Sequence, residues 1–249
     1  MIARLKQEGF QYHVASPEPV VGQCSGLMIF SKFPLEPFNH TDFIKFYNWR
    51  GREAWTSKGA LRAKVKVDPS LPPFVCVVTH LQCDGGPENT QTRIQQISQM
   101  KTYLLQKHTN YVVCGDFNIC AINEPDAYQE MKSMLGPVRD VLLEEATNTV
   151  RPFGDDASSS SVDLSLRPVT CPNTNKPLES LDYAWLRVPA PSELESKDKK
   201  KRKLPAVWDY VAGSAQVEKL PVSNPSWGVR EGTLSDHFGV SFKIAAVSA

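Results

Sequence analysis

The chain has 249 residues, 41% of them hydrophobic, enough for one substantial core and without any feature that demands two domains, so residues 1–249 read as one domain. Its 28 Lys and Arg oppose 27 Asp and Glu, and a formal net charge of +1 excludes the global positive field that draws a protein onto nucleic acid; no stable nucleic-acid partner is expected. No apolar stretch approaches the roughly 20 residues of a membrane span, and the first residues lack the apolar centre of a signal peptide, so the expected location is cytoplasmic, peripheral to membranes at most.

Residues 1–9 read as the end of an amphipathic helix, with Ile2 and Leu5 three apart and Gly9 at its stop. Apolar runs at 27–30, 61–67, 74–78, 111–113, 183–188 and 238–244 predict the strands of a sheet. Between them a helix is predicted over 90–107, after the Gly85-Gly86-Pro87 breaker, with Ile94, Ile97, Tyr103, Leu104 and Leu105 on its apolar face. A second helix is expected to open at Asn123 as N-cap, with Pro125 in its first turn, and to bury Tyr128, Met131 and Leu135 before Gly136-Pro137. Residues 148–178, rich in Ser, Pro, Asp and Asn, read as a long irregular connection. Residues 197–203 carry six basic side chains around Asp198; a solvated loop is the plain reading, with contact to anionic lipid or nuclear import as alternatives. Cys76 and Cys114 fall inside predicted strands as buried thiols, which points to a reducing compartment, and the absence of zinc-type Cys/His spacing argues against a structural zinc site.

The ends of these runs carry the chemistry. Thr79-His80-Leu81-Gln82, Gly115-Asp116-Phe117-Asn118, Leu181-Asp182-Tyr183 and Ser235-Asp236-His237 bring two imidazoles and three carboxylates to strand termini, where polar side chains escape burial and converge. Gly115 lets backbone and ligand approach closely, and Asp116 and Asn118, two apart on an extended segment, would face one phosphate or its metal. His237 suits a general base, Asp182 can accept its other imidazole hydrogen and fix the tautomer, and His80 can meet phosphoryl charge or protonate a leaving oxygen. Packed structural histidines and an ordinary turn after a strand are the plain alternatives.

Together the four signatures resemble the endonuclease, exonuclease and phosphatase superfamily typified by deoxyribonuclease I. The resemblance implies an α/β, four-layer sandwich of two packed mixed β-sheets flanked by helices. It implies that Asp116 and Asn118 hold the phosphate and nucleophile region, with Asp116 also a metal ligand. His237 would be the base oriented by Asp182, Asp236 would serve metal or base positioning, and His80 would face the phosphate. Within the superfamily, Gly26-Leu27-Met28-Ile29-Phe30-Ser31, Ser57-Lys58-Gly59-Ala60-Leu61 and Thr79-His80-Leu81-Gln82 look most like neutral sphingomyelinases. That branch implies a Mg²⁺-dependent phosphodiesterase, with Mn²⁺ as a substitute, that releases phosphocholine from sphingomyelin at a membrane surface. Lys58 then reads as a substrate-binding cation, or else as an exposed charge, and Trp227 as a membrane-contacting aromatic tip, or else as a locally packed ring.

Two positions of the superfamily pattern, an Asn on the first strand and a metal-binding Glu on the second, have no counterpart here, so the sheet is expected to lack its first strands and the chain reads as an N-terminally truncated form or a degenerate relative. If neither holds, another carboxylate such as Glu53 would have to complete the site. The rival readings are a nuclease or phosphoinositide phosphatase on the same fold and a catalytically inactive binding module.

Overall fold

The computed structural model describes residues 2–36, 38, 42–106, 108, 110–150, 164, 168, 170, 181–189, 207–218 and 239–247. In chain order these form α1 (Ile2–Gln7), β1 (Tyr12–Ala15), β2 (Met28–Ser31), β3 (Leu35–Glu36), β4 (Phe43–Lys45), a 3₁₀ turn (Gly51–Trp55), β5 (Gly59–Val65) and β6 (Phe74–His80). Then come α2 (Pro87–Met100), a π-helical turn (Lys101–Leu105), β7 (Tyr111–Asp116), α3 (Pro125–Leu135), β8 (Val138–Asp140), α4 (Val141–Val150), β9 (Asp182–Arg187), β10 (Val207–Tyr210), β11 (Gln216–Glu218), β12 (Gly239–Ser241) and β13 (Ile244–Val247).

The frame is a seven-stranded mixed sheet in the order β3-β5-β6-β7-β9-β8, with β4 also pairing to β5. Only β6 and β7 run parallel, and α2 makes the crossover between them. The central strands are apolar on both faces because both faces are covered. Val75, Val77, Tyr111, Val113, Tyr183 and Trp185 point to one side, where Ile94, Ile97, Met100, Leu104, Tyr128, Met131 and Leu135 of the helices close the larger core. The alternate residues Phe74, Val112, Ala184 and Leu186 point to the other side and pack against Trp208 and Tyr210 of β10. Fully burying side chains of this size contributes about 1.5–3 kcal/mol each, so the alternation fixes the register of every central strand.

On that second face two antiparallel ladders, β1–β2 and β10–β13, meet the sheet at its β5 side and its β9 side respectively, and β11–β12 forms a third. The α/β architecture is as expected. The second sheet of the expected sandwich, however, is represented among the described residues by two-stranded pieces and not by one continuous sheet.

Several boundaries differ from the sequence reading for identifiable reasons. Helix α1 stops before Gly9 (φ +92°), as expected, but buries no residue. Helix α2 begins at Pro87 itself, since proline's missing N–H costs nothing in the first turn. Its continuation turns Tyr103 outward, so that residue does not join the apolar face, while Leu104 and Leu105 do. The N-cap position of α3 is Glu124 and not Asn123, with Gly136 (φ +96°) ending the helix. The run 238–244 is broken, with β12 and β13 pairing in different ladders. Helix α4 takes the first residues of the expected irregular connection. Asp236, His237, Trp227 and the basic run 197–203 lie outside the described residues.

No helix among the described residues is long and apolar enough to cross a membrane. The thiols of Cys24, Cys76, Cys83, Cys114 and Cys120 are all free; burial pushes Cys76 up to about 12 and Cys114 well above its ordinary value.

Candidate active site

The parallel pairing of β6 with β7 sets His80 opposite Asp116, and the antiparallel pairing of β7 with β9 sets Asp116 opposite Asp182. Three of the six sequence-predicted polar groups are therefore neighbours across one sheet edge by hydrogen-bond register alone. His80 Nε2 lies 3.5 Å from Asp116 Oδ2, with the imidazole 45% exposed and the carboxylate 15% exposed. The imidazole faces solvent while the carboxylate is held beneath it.

Each residue of Gly115-Asp116-Phe117-Asn118 has a distinct local reason. A Cβ on Gly115, whose φ is +140°, would stand 2.0 Å from the Thr79 carbonyl oxygen, so β6 and β7 can close at this point only around glycine. The close approach is therefore to the neighbouring strand, where the sequence reading had placed a ligand. Phe117 is buried and meets Tyr183 edge-on at 5.5 Å, anchoring the loop that leaves the strand. The Tyr183 hydroxyl clamps the same loop, donating to the Ile119 carbonyl at 2.6 Å and accepting from the Ala121 N–H at 3.1 Å.

Asn118 has φ +51°, a left-handed conformation that asparagine tolerates. Asp116 and Asn118 thus meet through a turn and not by strand alternation. The Asn118 N–H donates to Asp116 Oδ1 at 2.8 Å, and its side-chain amide donates to Asp116 Oδ2 at 3.1 Å and to the Leu81 carbonyl at 3.2 Å. Asp182 opens β9, its N–H donating to the Thr170 hydroxyl at 3.0 Å.

Lys58 is buried directly behind this rim. Its ammonium lies 2.7 Å from Glu53 Oε1 and donates to the Leu81 carbonyl at 2.5 Å, the same oxygen that Asn118 uses. Glu53 also accepts from the Cys83 N–H at 3.0 Å and from its thiol at 2.8 Å, so both carboxylate oxygens are engaged. Burial and the adjacent Glu53 push the Cys83 thiol up to about 11.

Arg93 and three glutamines complete the support; of these the sequence reading named only Gln82, as the end of the Thr79-His80-Leu81-Gln82 signature and without a role of its own. Arg93, 1% exposed, donates to the carbonyls of Gln82 (3.3 Å) and Asp84 (2.7 Å) and to the Thr90 hydroxyl (2.7 Å), and pairs with Glu124 at 3.3 Å. Desolvation lowers its pKa, opposed by the charges of Glu124 and Asp116. Its signal was an arginine in register with Ile97, Met100 and Leu104 on the buried stripe of α2, where a cation needs dedicated partners. Gln82, Gln96 and Gln99, all buried, bind the backbone or side chains of segment 47–50: Gln82 Oε1 accepts from the Arg50 N–H at 2.9 Å, Gln96 donates to the Asn48 carbonyl at 2.7 Å, and Gln99 accepts from the Tyr47 N–H at 3.2 Å.

The donor set at the rim is oxygen-rich, comprising the Asp116 and Asp182 carboxylates and the Asn118 amide, and such donors fit a hard divalent cation better than a thiophilic one. Among the described residues no group of three or more His, Cys, Asp or Glu stands ready to hold a metal alone.

No family model matches the chain. A sphingomyelinase of Dictyostelium discoideum is 22% identical over 315 residues, covering 96% of this chain and 66% of that protein, so the chain spans just under two thirds of its relative's length. The fold matches sphingomyelinase C from Streptomyces griseocarneus with a TM-score of 0.56 at 19% identity, over 99% of this chain and 81% of that one. It also matches a beta toxin variant from Staphylococcus aureus, determined with bound magnesium ions, with a TM-score of 0.55 at 18% identity over 100% and 81%. The rim of His80, Asp116 and Asp182 thus sits on a fold shared with these structures and with an endonuclease/exonuclease/phosphatase of Beutenbergia cavernae (TM-score 0.57 at 15% identity, over 97% of this chain and 55% of that one), and in sequence the chain resembles a sphingomyelinase.

Proposed function

We propose that this protein is a divalent-metal-dependent phosphodiesterase that cleaves sphingomyelin to ceramide and phosphocholine at a membrane surface. The observation that carries the reading is the convergence of His80, Asp116, Asn118 and Asp182 at one sheet edge through strand register and a four-residue turn. The likeness to sphingomyelinases in sequence and fold supports the choice of substrate.

In this reading His237 takes the proton of the attacking water, and Asp182 receives the hydrogen on its other ring nitrogen, holding the tautomer that leaves one nitrogen basic. Asn118, with its backbone N–H and one amide hydrogen on Asp116 and its other amide hydrogen on the Leu81 carbonyl, fixes the orientation of the Asp116 carboxylate beside the phosphate. His80, half exposed and 3.5 Å from Asp116 Oδ2, faces the phosphoryl oxygens and gives them a hydrogen bond or a proton. Asp116 and Asp236 would hold Mg²⁺, which when bound polarises the phosphate and stabilises the leaving oxygen. Lys58 contributes from behind, through the Leu81 carbonyl that it shares with Asn118. Trp227 is assigned to membrane contact, and the protein to the cytoplasmic face of membranes.

The test is a set of single substitutions, Asp116→Asn, Asp182→Asn and His237→Ala, assayed on sphingomyelin vesicles with Mg²⁺. Each should lower turnover on the order of 10²-fold or more while the folded state persists. Near-parental turnover in any one would remove that residue from the mechanism.

A further inference from the structure

Six large apolar side chains, Val20, Val21, Tyr47, Trp49, Trp55 and Tyr103, stand exposed on three linked segments, of which 47–55 is tied to the catalytic rim. Isolated exposed apolar residues are ordinary, but these are structurally linked. The tip carrying Val20 and Val21 is stitched to the 3₁₀ turn through the Gln23 N–H, which donates to the Trp55 carbonyl at 2.8 Å. Tyr47 and Trp49 line one open groove along α2, and Tyr47 and Tyr103 line the next.

The segment is also rigid and tied to the site. Three buried glutamines hold residues 47–50, and one of them, Gln82, lies two residues beyond His80, the last residue of β6. Glu53, in the same turn as Trp55, pairs with Lys58 behind Asn118. Rings exposed this fully on a backbone held this firmly lose little freedom when they are covered. Trp and Tyr, each with an apolar ring and a polar tip, gain most where apolar and wet surroundings meet.

We infer that these six residues form a lip that seats in the headgroup layer of a phospholipid bilayer and brings the rim down onto its lipid. The inference rests on the lipid phosphodiesterase reading, since a site that cleaves a membrane lipid must lie against the bilayer and whatever is exposed beside it must enter the interface. Arg50 within the lip is paired with Glu88, and the attraction is assigned to the rings and valines, without need of anionic lipid.

The test uses zwitterionic vesicles of phosphatidylcholine and sphingomyelin. Flotation should show binding that survives raised salt, and the combined variant Val20→Ser, Val21→Ser, Trp49→Ala, Trp55→Ala should bind about tenfold or more weakly with its melting temperature unchanged. In vesicles with brominated acyl chains, tryptophan emission should be quenched in a Trp227→Phe background, and the quenching should vanish when Trp49 and Trp55 are also changed to Phe. Undiminished binding or quenching in these variants would overturn the lip. So would self-association of the chain through the same residues without vesicle binding. Vesicle binding through the lip without sphingomyelin turnover would sink the proposed reaction and leave the lip standing; hydrolysis of a soluble phosphodiester without vesicle contact would do the reverse.

Discussion

Replacing Lys58 by Met separates two accounts of this residue. The ammonium lies 2.7 Å from Glu53 and 2.5 Å from the Leu81 carbonyl, with the two charged side chains 8% and 11% exposed. Removing one partner of a buried pair leaves the other charge uncompensated, at about 3–5 kcal/mol. Glu53 keeps its two bonds from Cys83, which places the expected loss near the lower end, about 3 kcal/mol. Adding Glu53→Gln removes the stranded charge but keeps an acceptor for the Cys83 N–H, so the double variant should recover all but about 1 kcal/mol. Urea unfolding of the parent, both single variants and the double variant gives the coupling directly. Because Leu81 also holds the Asn118 amide, kcat should fall more than KM rises. A loss under about 1 kcal/mol with a large rise in KM would instead mark Lys58 as a substrate contact, and the buried-pair account would be wrong.

Gly115→Ala should destabilise by about 2–6 kcal/mol, since strain at positive φ and an overpacked contact with Thr79 each contribute about 1–3 kcal/mol; calorimetry showing a change below 1 kcal/mol would contradict the strand geometry. His80→Ala should lower turnover about 10²-fold with little change in melting temperature, because the imidazole is half exposed. With its thiol pushed up to about 11, Cys83 should resist alkylation at pH 8, where exposed Cys24 is labelled, and become reactive only as pH rises toward 11. The sign follows from the direction of that shift: the folded chain holds a proton that the unfolded chain releases near pH 9, so Cys83 favours folding below pH 9 and loses that contribution between 9 and 11. Equal labelling of the two peptides at pH 8, read by mass spectrometry, would refute it.

What could be read from the chain beforehand follows from how each element is stabilised. Strands β6, β7 and β9 were legible because both faces are covered and double burial writes a near-continuous apolar run into the sequence, and β5 because Leu61, Ala63 and Val65 alternate with Arg62 and Lys64. Strands β1, β3 and β4 were not, because they are two to four residues long, lack a fully buried residue and owe their extension to a partner strand. The rim was legible because polar residues following apolar runs have a chemical reason to be there. Its support was not, because Glu53 meets Lys58 and Cys83 only after the 3₁₀ turn folds against β6, and the three glutamines carry no periodic signature of burial. The Asp116 and Asn118 pair was found for the wrong local reason, a left-handed turn where an extended segment had been inferred.

The most direct test of the central claim is phosphocholine release from sphingomyelin vesicles by the purified chain, measured with Mg²⁺, with EDTA, and with Mg²⁺ restored after EDTA. The account predicts turnover with Mg²⁺, its loss in EDTA and its return with the metal. Metal-independent release, or cleavage of DNA with none of sphingomyelin under the same conditions, would contradict it.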